Sequence, residues 1–334
     1  MSAASPAPTP GRVVTVTANA AVDHTVVVPG FRAGEVNRVA SEVRSPGGKG
    51  VNVAAALRVL SVDVVVTGFL GAGNDELFTE FFATEGIEDR FVRVDGATRT
   101  GIKIVDDAGT TTDLNLPGSR VSGEDVDRLV ATVGELAGGV AWVALSGSLP
   151  PGAPRDLYAR LTGAAHAAGA AVALDTSGAA LADGVGALPD LVKPNTEELE
   201  ELVGRRLPDT AALLGAVADL QELGIARIVV SRGAAGALFV DEADAVTARP
   251  PAVAVASTVG AGDATVAGTI AGLLRGESLD GVARLATACG ATAVETVGPR
   301  LDAAAVVRHA GHVTVETLAP RHRSAPRTRS RGTA

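Results

Sequence analysis

The chain is most informative at residues 257–268, which read STVGAGDATVAG. Gly260 and Gly262 precede a run of small residues that can begin a helix, and a glycine-rich turn at a helix N-terminus offers backbone N–H groups to phosphate oxygens. Asp263 is unexpected there, because its carboxylate would repel a bound phosphate. Its presence therefore suggests that it acts on a proton or a metal rather than in binding alone. The pattern indicates a phosphoryl-transfer site; the alternative is a tight loop with Asp263 as a helix cap.

A second glycine cluster, PGGKGVN at residues 46–52, precedes a helix predicted for residues 51–60. Glycine lets the backbone approach a ligand closely, and Lys49 and Asn52 place a charged donor and an amide beside it. Neither cluster has the spacing of a P-loop or of the G-x-G-x-x-G dinucleotide motif. The sequence therefore argues against both of those nucleotide-binding folds.

Strand-like and helix-like runs alternate along the chain. Strands are predicted at residues 13–17, 62–67, 140–145, 171–174, 188–192 and 227–231. Helices are predicted at residues 51–60, 75–85, 122–136, 154–168 and 210–223. This alternation predicts an α/β fold with a mostly parallel sheet covered by helices on both faces.

Four short β-rich pieces interrupt the alternation where helices are absent, at residues 25–28, 91–94, 101–105 and 111–114. They predict a small separate sheet, drawn from about residues 24–45 and 90–116.

Polar residues follow several predicted strands. Asn19 and Asp23 follow the first strand, Ser146 follows the strand that contains Trp142, and the pair Lys193 and Asn195 follows another. Ligands of open α/β sheets bind beyond the carboxyl ends of the strands, so this shared position favours function. Taken singly, each could be a turn residue, and Asn195 could cap the next helix.

Six ordered motifs carry a resemblance to a known family. They are TVTANAAVD (15–23), GGKGVNVA (47–54), TRTGIKI (98–104), SGSLPPG (146–152), LVKPNTEEL (191–199) and GAGD (260–263). Through them the chain resembles the PfkB branch of the ribokinase-like carbohydrate kinases, and within it the group of 1-phosphofructokinases and tagatose-6-phosphate kinases. The resemblance implies a ribokinase-like, doubly wound sheet with a small β lid over the sugar site. In many relatives that lid is also a dimer surface, so a homodimer is expected.

The resemblance also implies a sugar-phosphate site. Asp23 would bind sugar hydroxyls, and Arg99, assisted by Lys103, would hold the phosphate already on the sugar, a task that suits a guanidinium fork. Taken alone, Arg99 would be a solvated strand residue. The implied substrate residues are Asn19, Asp23, Gly48, Lys49, Asn52, Arg99, Lys103 and Ser146.

ATP and Mg²⁺ are the cofactors that the resemblance implies. Glu198 would order Mg²⁺ through water, although taken alone it is an ordinary helix carboxylate. Asp263 would take the proton of the attacking hydroxyl, while the Gly260, Ala261 and Gly262 amides receive charge on the transferring group. The implied nucleotide residues are Lys193, Asn195, Ser231, Gly233, Gly236, Gly260 and Gly262.

Several positions depart from the family pattern. Ala18 and Ala20 stand where relatives have leucine and proline, Gly101 where asparagine is common, and Leu116 where relatives often have glutamate. These changes bear on the sugar pocket rather than the ATP site. Arg232 also replaces a typical apolar residue in the turn after Ser231.

Composition fits a single large domain at residues 11–318 between two tails. The 334 residues carry a formal charge of −9 and one cysteine, Cys289, which excludes an internal disulfide framework and fits a reducing cytoplasm. Residues 1–10 and the basic residues 319–334 are predicted to be disordered. Without the five arginines of the C-terminal tail, the rest of the chain has a formal charge of about −14, so local positive groups must attract an anionic substrate. No apolar run approaches a membrane span, and nucleic-acid binding is not expected.

The leading hypothesis from the sequence is ATP-dependent phosphorylation of fructose 1-phosphate to fructose 1,6-bisphosphate. Tagatose 6-phosphate and fructose 6-phosphate are alternative substrates. A sugar-phosphate sensor without turnover is the alternative from another class of protein, and the intact GAGD motif argues against it.

Overall fold

The computed structural model describes residues 11–107, 110–296 and 298–318. The two predicted tails, residues 1–10 and 319–334, lie outside these ranges. No helix in the described ranges is long and apolar enough to cross a membrane.

The described residues form strands and helices in alternation. In chain order the strands are β1 (Arg12–Thr17), β2 (Ala21–Val27), β3 (Ser41–Gly47), β4 (Asp63–Gly71), β5 (Glu88–Asp89), β6 (Val92–Val94), β7 (Arg99–Val105), β8 (Thr111–Asn115), β9 (Trp142–Ser146), β10 (Ala171–Asp175), β11 (Leu191–Val192), β12 (Arg227–Ser231), β13 (Ala237–Val240), β14 (Ala245–Arg249) and β15 (Thr314–Thr317). The helices are α1 (Lys49–Val59), α2 (Glu76–Glu85), α3 (Gly123–Ala137), α4 (Leu157–Ala167), α5 (Gly178–Val185), α6 (Thr196–Val203), α7 (Thr210–Leu223), α8 (Ala261–Leu274), α9 (Leu279–Ala293) and α10 (Ala303–Ala310).

The main sheet has the order β15-β14-β13-β12-β11-β10-β9-β1-β4-β5, and β6 also pairs with β4. Along this spatial order, each pair of neighbouring strands from β12 through β11, β10, β9, β1 and β4 to β5 is parallel. The pairs β12–β13, β13–β14 and β14–β15 are antiparallel. The predicted mostly parallel sheet is confirmed.

Alternate residues of β1 enter two different cores. Val13 packs in a cluster with Leu57 of α1 and Ile270 of α8. Val14 packs in a second cluster that includes Leu129 of α3 and Leu161 of α4. Because successive strand side chains point to opposite faces, helices cover both faces of the sheet, as predicted.

Helix α8 is held in place by close packing against α9. A methyl group on Gly268 would lie 2.6 Å from the Cα atom of Ala286, and one on Gly272 would lie 3.1 Å from Val282. Only glycine therefore allows the two helix backbones to come so near. This packing fixes the position of the α8 N-terminus, where the GAGD motif lies.

A separate four-stranded sheet, which we call the lid, has the order β3-β2-β7-β8. Strand β2 pairs antiparallel with β3 and parallel with β7, and β7 pairs antiparallel with β8. The prediction of a small second sheet is confirmed. One of its predicted pieces is wrong: Val92–Val94 pairs parallel with β4 of the main sheet, because Val92 and Val94 are buried in the main core.

Candidate active site

Asp263 lies in the first turn of α8 and does not cap the helix. The N-cap is Gly260, whose φ of 83° is left-handed, and no side chain caps this end. The Asp263 side chain is 5% exposed, and its Oδ2 atom accepts a 2.8 Å hydrogen bond from Asn52 Nδ2 on α1. The two glycine clusters predicted from the sequence thus meet at one carboxylate.

The surroundings of Asp263 make it a stronger base than an ordinary aspartate. Burial, followed by the negative charge of Asp175, raises the pKa of Asp263 to about 6. Lys49, Asn52 and Lys193 act in the opposite direction. The carboxylate is consequently ionised at neutral pH, with a pKa close to the range that favours proton transfer.

Two lysines near this carboxylate share a second acidic group, Asp175. Lys49 Nζ lies 3.0 Å and Lys193 Nζ 3.2 Å from the same Oδ1 atom of Asp175. A methyl group on Gly262 would lie 3.3 Å from Lys193 Nζ, so this ammonium lies beside the start of α8. The Lys193 ammonium therefore lies where a transferred phosphoryl group would meet the helix amides.

A cavity of about 200 Å³ opens between the lid and the start of α8. Its lining includes Asp23, Lys103 and Asn115 from the lid, and Asn52 and Gly260 from the main domain. Burial raises the pKa of Asp23, and the charges of Lys103 and Arg99 oppose that rise. The cavity has the size and polarity for a sugar ring.

The two predicted phosphate-binding residues face different depressions. Lys103 lines the cavity, and its Nζ atom lies 3.8 Å from Asp113 Oδ1. Arg99 instead lines a smaller depression with Asn19, and its guanidinium donates to the carbonyl oxygens of Leu116 at 3.3 Å and Asn19 at 3.5 Å. The structure therefore brings Lys103, but not Arg99, to the wall of the main cavity.

Asn195 and Glu198 form the N-terminal cap of α6. Asn195 Oδ1 accepts from the Glu198 N–H at 2.7 Å, and Glu198 Oε2 accepts from the Asn195 N–H at 2.8 Å. The capping role that the sequence left open for Asn195 is present. The Ser231 N–H also donates to the Pro194 carbonyl at 3.0 Å, which joins the loop after β11 to the turn after β12.

That turn contains Gly233 and Gly236 and depends on glycine. A short 3-10 helix, Gly233–Ala235, is followed by Gly236 with a φ of 86°. A methyl group on Gly236 would lie 1.9 Å from the Ala248 carbonyl oxygen. Arg232 of the same turn donates to the Thr210 hydroxyl at 3.3 Å, which ties the turn to α7.

Ser146 does not reach the cavity. It is 0% exposed at the end of β9, and its hydroxyl has no hydrogen-bond partner among the described residues. The neighbouring Ser148 hydroxyl accepts from the Asn19 amide at 3.3 Å. A direct contact between the Ser146 side chain and a substrate is therefore not supported, because the strand continues through this residue.

The sequence analysis did not select Asp175. It ends β10 at the same edge of the sheet as Asn19 and Lys193, and the signal that selected those residues, a polar residue closing a buried strand, also selects Asp175. Asp113 and Asn115 of β8 were missed as well, because only the pairing of β8 with β7 brings them beside Lys103 and Gly101.

Comparisons with known proteins agree with this geometry. The model of the pfkB family carbohydrate kinase matches residues 13–305. The 1-phosphofructokinase of Rhodobacter capsulatus is 49% identical over 315 residues, which cover 92% of this chain and 99% of that protein. The 1-phosphofructokinase of Escherichia coli K12 is 42% identical over 283 residues, which cover 85% and 91%. The solved structure of E. coli phosphofructokinase-2 in complex with substrates and products is 30% identical with a TM-score of 0.86, covering 90% of this chain and 99% of that one.

Proposed function

This chain belongs to the pfkB family of carbohydrate kinases, and we propose that it transfers the γ-phosphoryl group of ATP to fructose 1-phosphate, giving fructose 1,6-bisphosphate. The observation that carries the proposal is the position of Asp263, a buried carboxylate with a raised pKa that lies in the first turn of α8 beside a sugar-sized cavity. The identity to two 1-phosphofructokinases supports the choice of substrate.

The proposed reaction begins with the free hydroxyl of the sugar directed at Asp263. The hydroxyl oxygen attacks the γ-phosphorus of ATP, the bond from that phosphorus to the bridging oxygen breaks, and Asp263 takes the proton. Amides of residues 260–262 and the ammonium groups of Lys49 and Lys193 offset the charge on the transferring group. Because that transition state is loose, orienting the hydroxyl is as much the task of Asp263 as removing its proton.

The sugar would lie in the cavity under the lid. Asp23 and Asn52 offer hydrogen-bond partners for its hydroxyls, and Lys103 is the cation on the cavity wall that can attract the phosphate already present. Arg99 can assist only at the neighbouring depression, unless its guanidinium leaves the Leu116 and Asn19 carbonyls.

Glu198 fits a Mg²⁺ ion that ATP carries. Mg²⁺ keeps several waters and is held through one or two carboxylates together with substrate phosphates. The α6 cap occupies one Glu198 oxygen, and the second oxygen can accept a hydrogen bond from a metal-bound water. When bound, the ion would neutralise charge on the ATP phosphates.

The lid is also the proposed surface of a homodimer. Two apolar side chains on this side of the molecule are exposed, Leu114 of β8 and Leu116 just after it, and neighbouring exposed apolar residues often mark an interface. Sedimentation of the wild type and of Leu114→Arg tests this, because the proposal requires the variant to dissociate.

Since ATP and sugar phosphates are cytoplasmic metabolites, the proposed activity implies that the protein acts in the cytoplasm.

Coupled ADP release with Mg-ATP tests the substrate. Fructose 1-phosphate, fructose 6-phosphate, tagatose 6-phosphate and fructose are compared in parallel, and the expected preference in kcat/KM for fructose 1-phosphate is about 10²-fold or more. The likeness to phosphofructokinase-2 makes fructose 6-phosphate the second candidate. Preference for a 6-phosphate would keep the mechanism and change the substrate, and no turnover on any sugar would favour a sensor.

A further inference from the structure

Asp175 collects two cations that reach it from separate parts of the chain. Lys49 begins α1, and Lys193 follows β11. Both ammonium groups lie within hydrogen-bond distance of one oxygen of Asp175, at 3.0 and 3.2 Å, although like charges repel. Asp175 is 2% exposed and Lys193 5% exposed, so water screens these two charges poorly, whereas the Lys49 side chain is 38% exposed.

We propose that Asp175 is a positioning residue, which holds Lys49 and Lys193 as a fixed pair beside the first turn of α8 so that both cations meet the transferred phosphoryl group. This inference rests on the proposed kinase function. Asp175 itself does not touch the reacting atoms: its Oδ1 atom accepts from the two lysines, and its Oδ2 atom is buried without a partner among the described residues.

The charge balance of the three groups explains why an acid is needed. Two ammonium groups so close together and without a counter-ion would repel each other, and the burial of Lys49 would favour loss of its proton. With Asp175 present the three groups carry a net charge of +1. The pKa of Lys49 is raised because the attraction of nearby carboxylates, chiefly Asp175, outweighs the burial of the lysine. The pKa of Asp175 is lowered because the charges and hydrogen bonds of Lys193 and Lys49 outweigh the burial of the carboxyl group. Both pKa shifts favour the charged forms of Lys49 and Asp175.

The charge of Asp175 also acts on Asp263. The negative charge of Asp175 raises the pKa of Asp263, while the positive charge of Lys49 lowers it. Removing one or the other should therefore move the acid limb of the pH profile in opposite directions. A merely structural role of Asp175 would produce no such pair of shifts.

The test is the pH dependence of kcat/KM for fructose 1-phosphate in Asp175→Asn, Lys49→Gln and the wild type. Asparagine keeps the shape of Asp175 and removes its charge. We expect kcat of Asp175→Asn to fall about 10²-fold because the lysines are no longer held in place. Its acid limb should move to lower pH by about 1 unit, because the charge of Asp175 raises the pKa of Asp263 more than either lysine lowers it. The acid limb of Lys49→Gln should move to higher pH.

Asp190→Asn is the matched control. Asp190, just before β11, accepts a 2.8 Å hydrogen bond from the Val172 N–H, so it lies beside the end of β10 opposite to Asp175. Its replacement should leave the acid limb in place.

An acid limb and a kcat that stay unchanged in Asp175→Asn would overturn the inference. If thermal unfolding shows that Asp175→Asn does not fold, Asp175→Glu decides, because it keeps the charge and displaces the carboxylate by one methylene group: a lower kcat in the folded variant supports the positioning role, and an unchanged kcat overturns it. A wild type without turnover would instead contradict the proposed function, so the two failures are distinguishable.

Discussion

Replacing Asn52 with alanine should move the acid limb of kcat/KM to higher pH. The Asn52 amide donates a 2.8 Å hydrogen bond to Asp263 Oδ2, and this bond lowers a pKa that burial and Asp175 have raised to about 6. A hydrogen bond to a charged group contributes about 1.5–3 kcal/mol, and one pKa unit corresponds to about 1.4 kcal/mol. Loss of the bond should therefore move the limb by about 1–2 units, to between about pH 7 and pH 8.

The sign follows from the form of Asp263 that reacts. The base must be deprotonated, so activity disappears as the pH falls through its pKa, and removing a donor to the charged form raises that pKa. The assay is coupled ADP release at low sugar concentration over a series of pH values, because kcat/KM reports the free enzyme.

Asn115→Ala is the control for this prediction. Asn115 lines the same cavity from β8, and the hydrogen bond to Asp263 comes from Asn52. This variant can lose affinity for the sugar while its acid limb stays in place. An unmoved limb in Asn52→Ala, or an equal shift in both variants, would refute the reasoning.

Two further predictions concern stability and the metal. Gly268→Ala should lower the free energy of unfolding by about 1–3 kcal/mol in urea titrations, because the new methyl group would lie 2.6 Å from Ala286 Cα. The control is Gly163→Ala on α4, whose methyl group meets nothing within 4 Å and should raise the free energy of unfolding by up to about 1 kcal/mol. Equal effects of the two substitutions would contradict the packing argument. Glu198→Gln should raise the Mg²⁺ concentration that gives half-maximal rate by about 10-fold. Its Tm should not change, because a glutamine oxygen can still accept a hydrogen bond from the Asn195 N–H. An unchanged Mg²⁺ requirement would contradict the role of Glu198.

Local signals predicted much of the fold. Helix α7 and strand β12 have the predicted bounds, since Asp209 caps the start of α7 with a 2.8 Å hydrogen bond from the Ala212 N–H, and Gly224 ends it in a left-handed conformation. The error at residues 91–94 arose because strand pairing is not local: three residues with alternating valines fit either sheet, and only burial in the main core decides between them.

The candidate site was predictable where a motif marked it. The bond between Asn52 and Asp263 joins residues 211 positions apart, so the sequence could place both residues in motifs but could not show that they touch. Asp175 lies outside the six motifs, and the sequence does not show that Lys49 and Lys193 converge on it. Ser146 has no exposed surface because β9 extends one residue further than predicted, and a role of Ser146 in substrate binding stays a prediction.

The central claim is that Asp263 is the base of a sugar-phosphate kinase, and turnover of Asp263→Asn with Mg-ATP and fructose 1-phosphate tests it most directly. Asparagine keeps the size of the side chain and its oxygen can still accept a hydrogen bond from Asn52, so the Tm of the variant should equal that of the wild type. The account predicts a kcat about 10²-fold or more below that of the wild type. Near-normal turnover by a folded Asp263→Asn variant would contradict it.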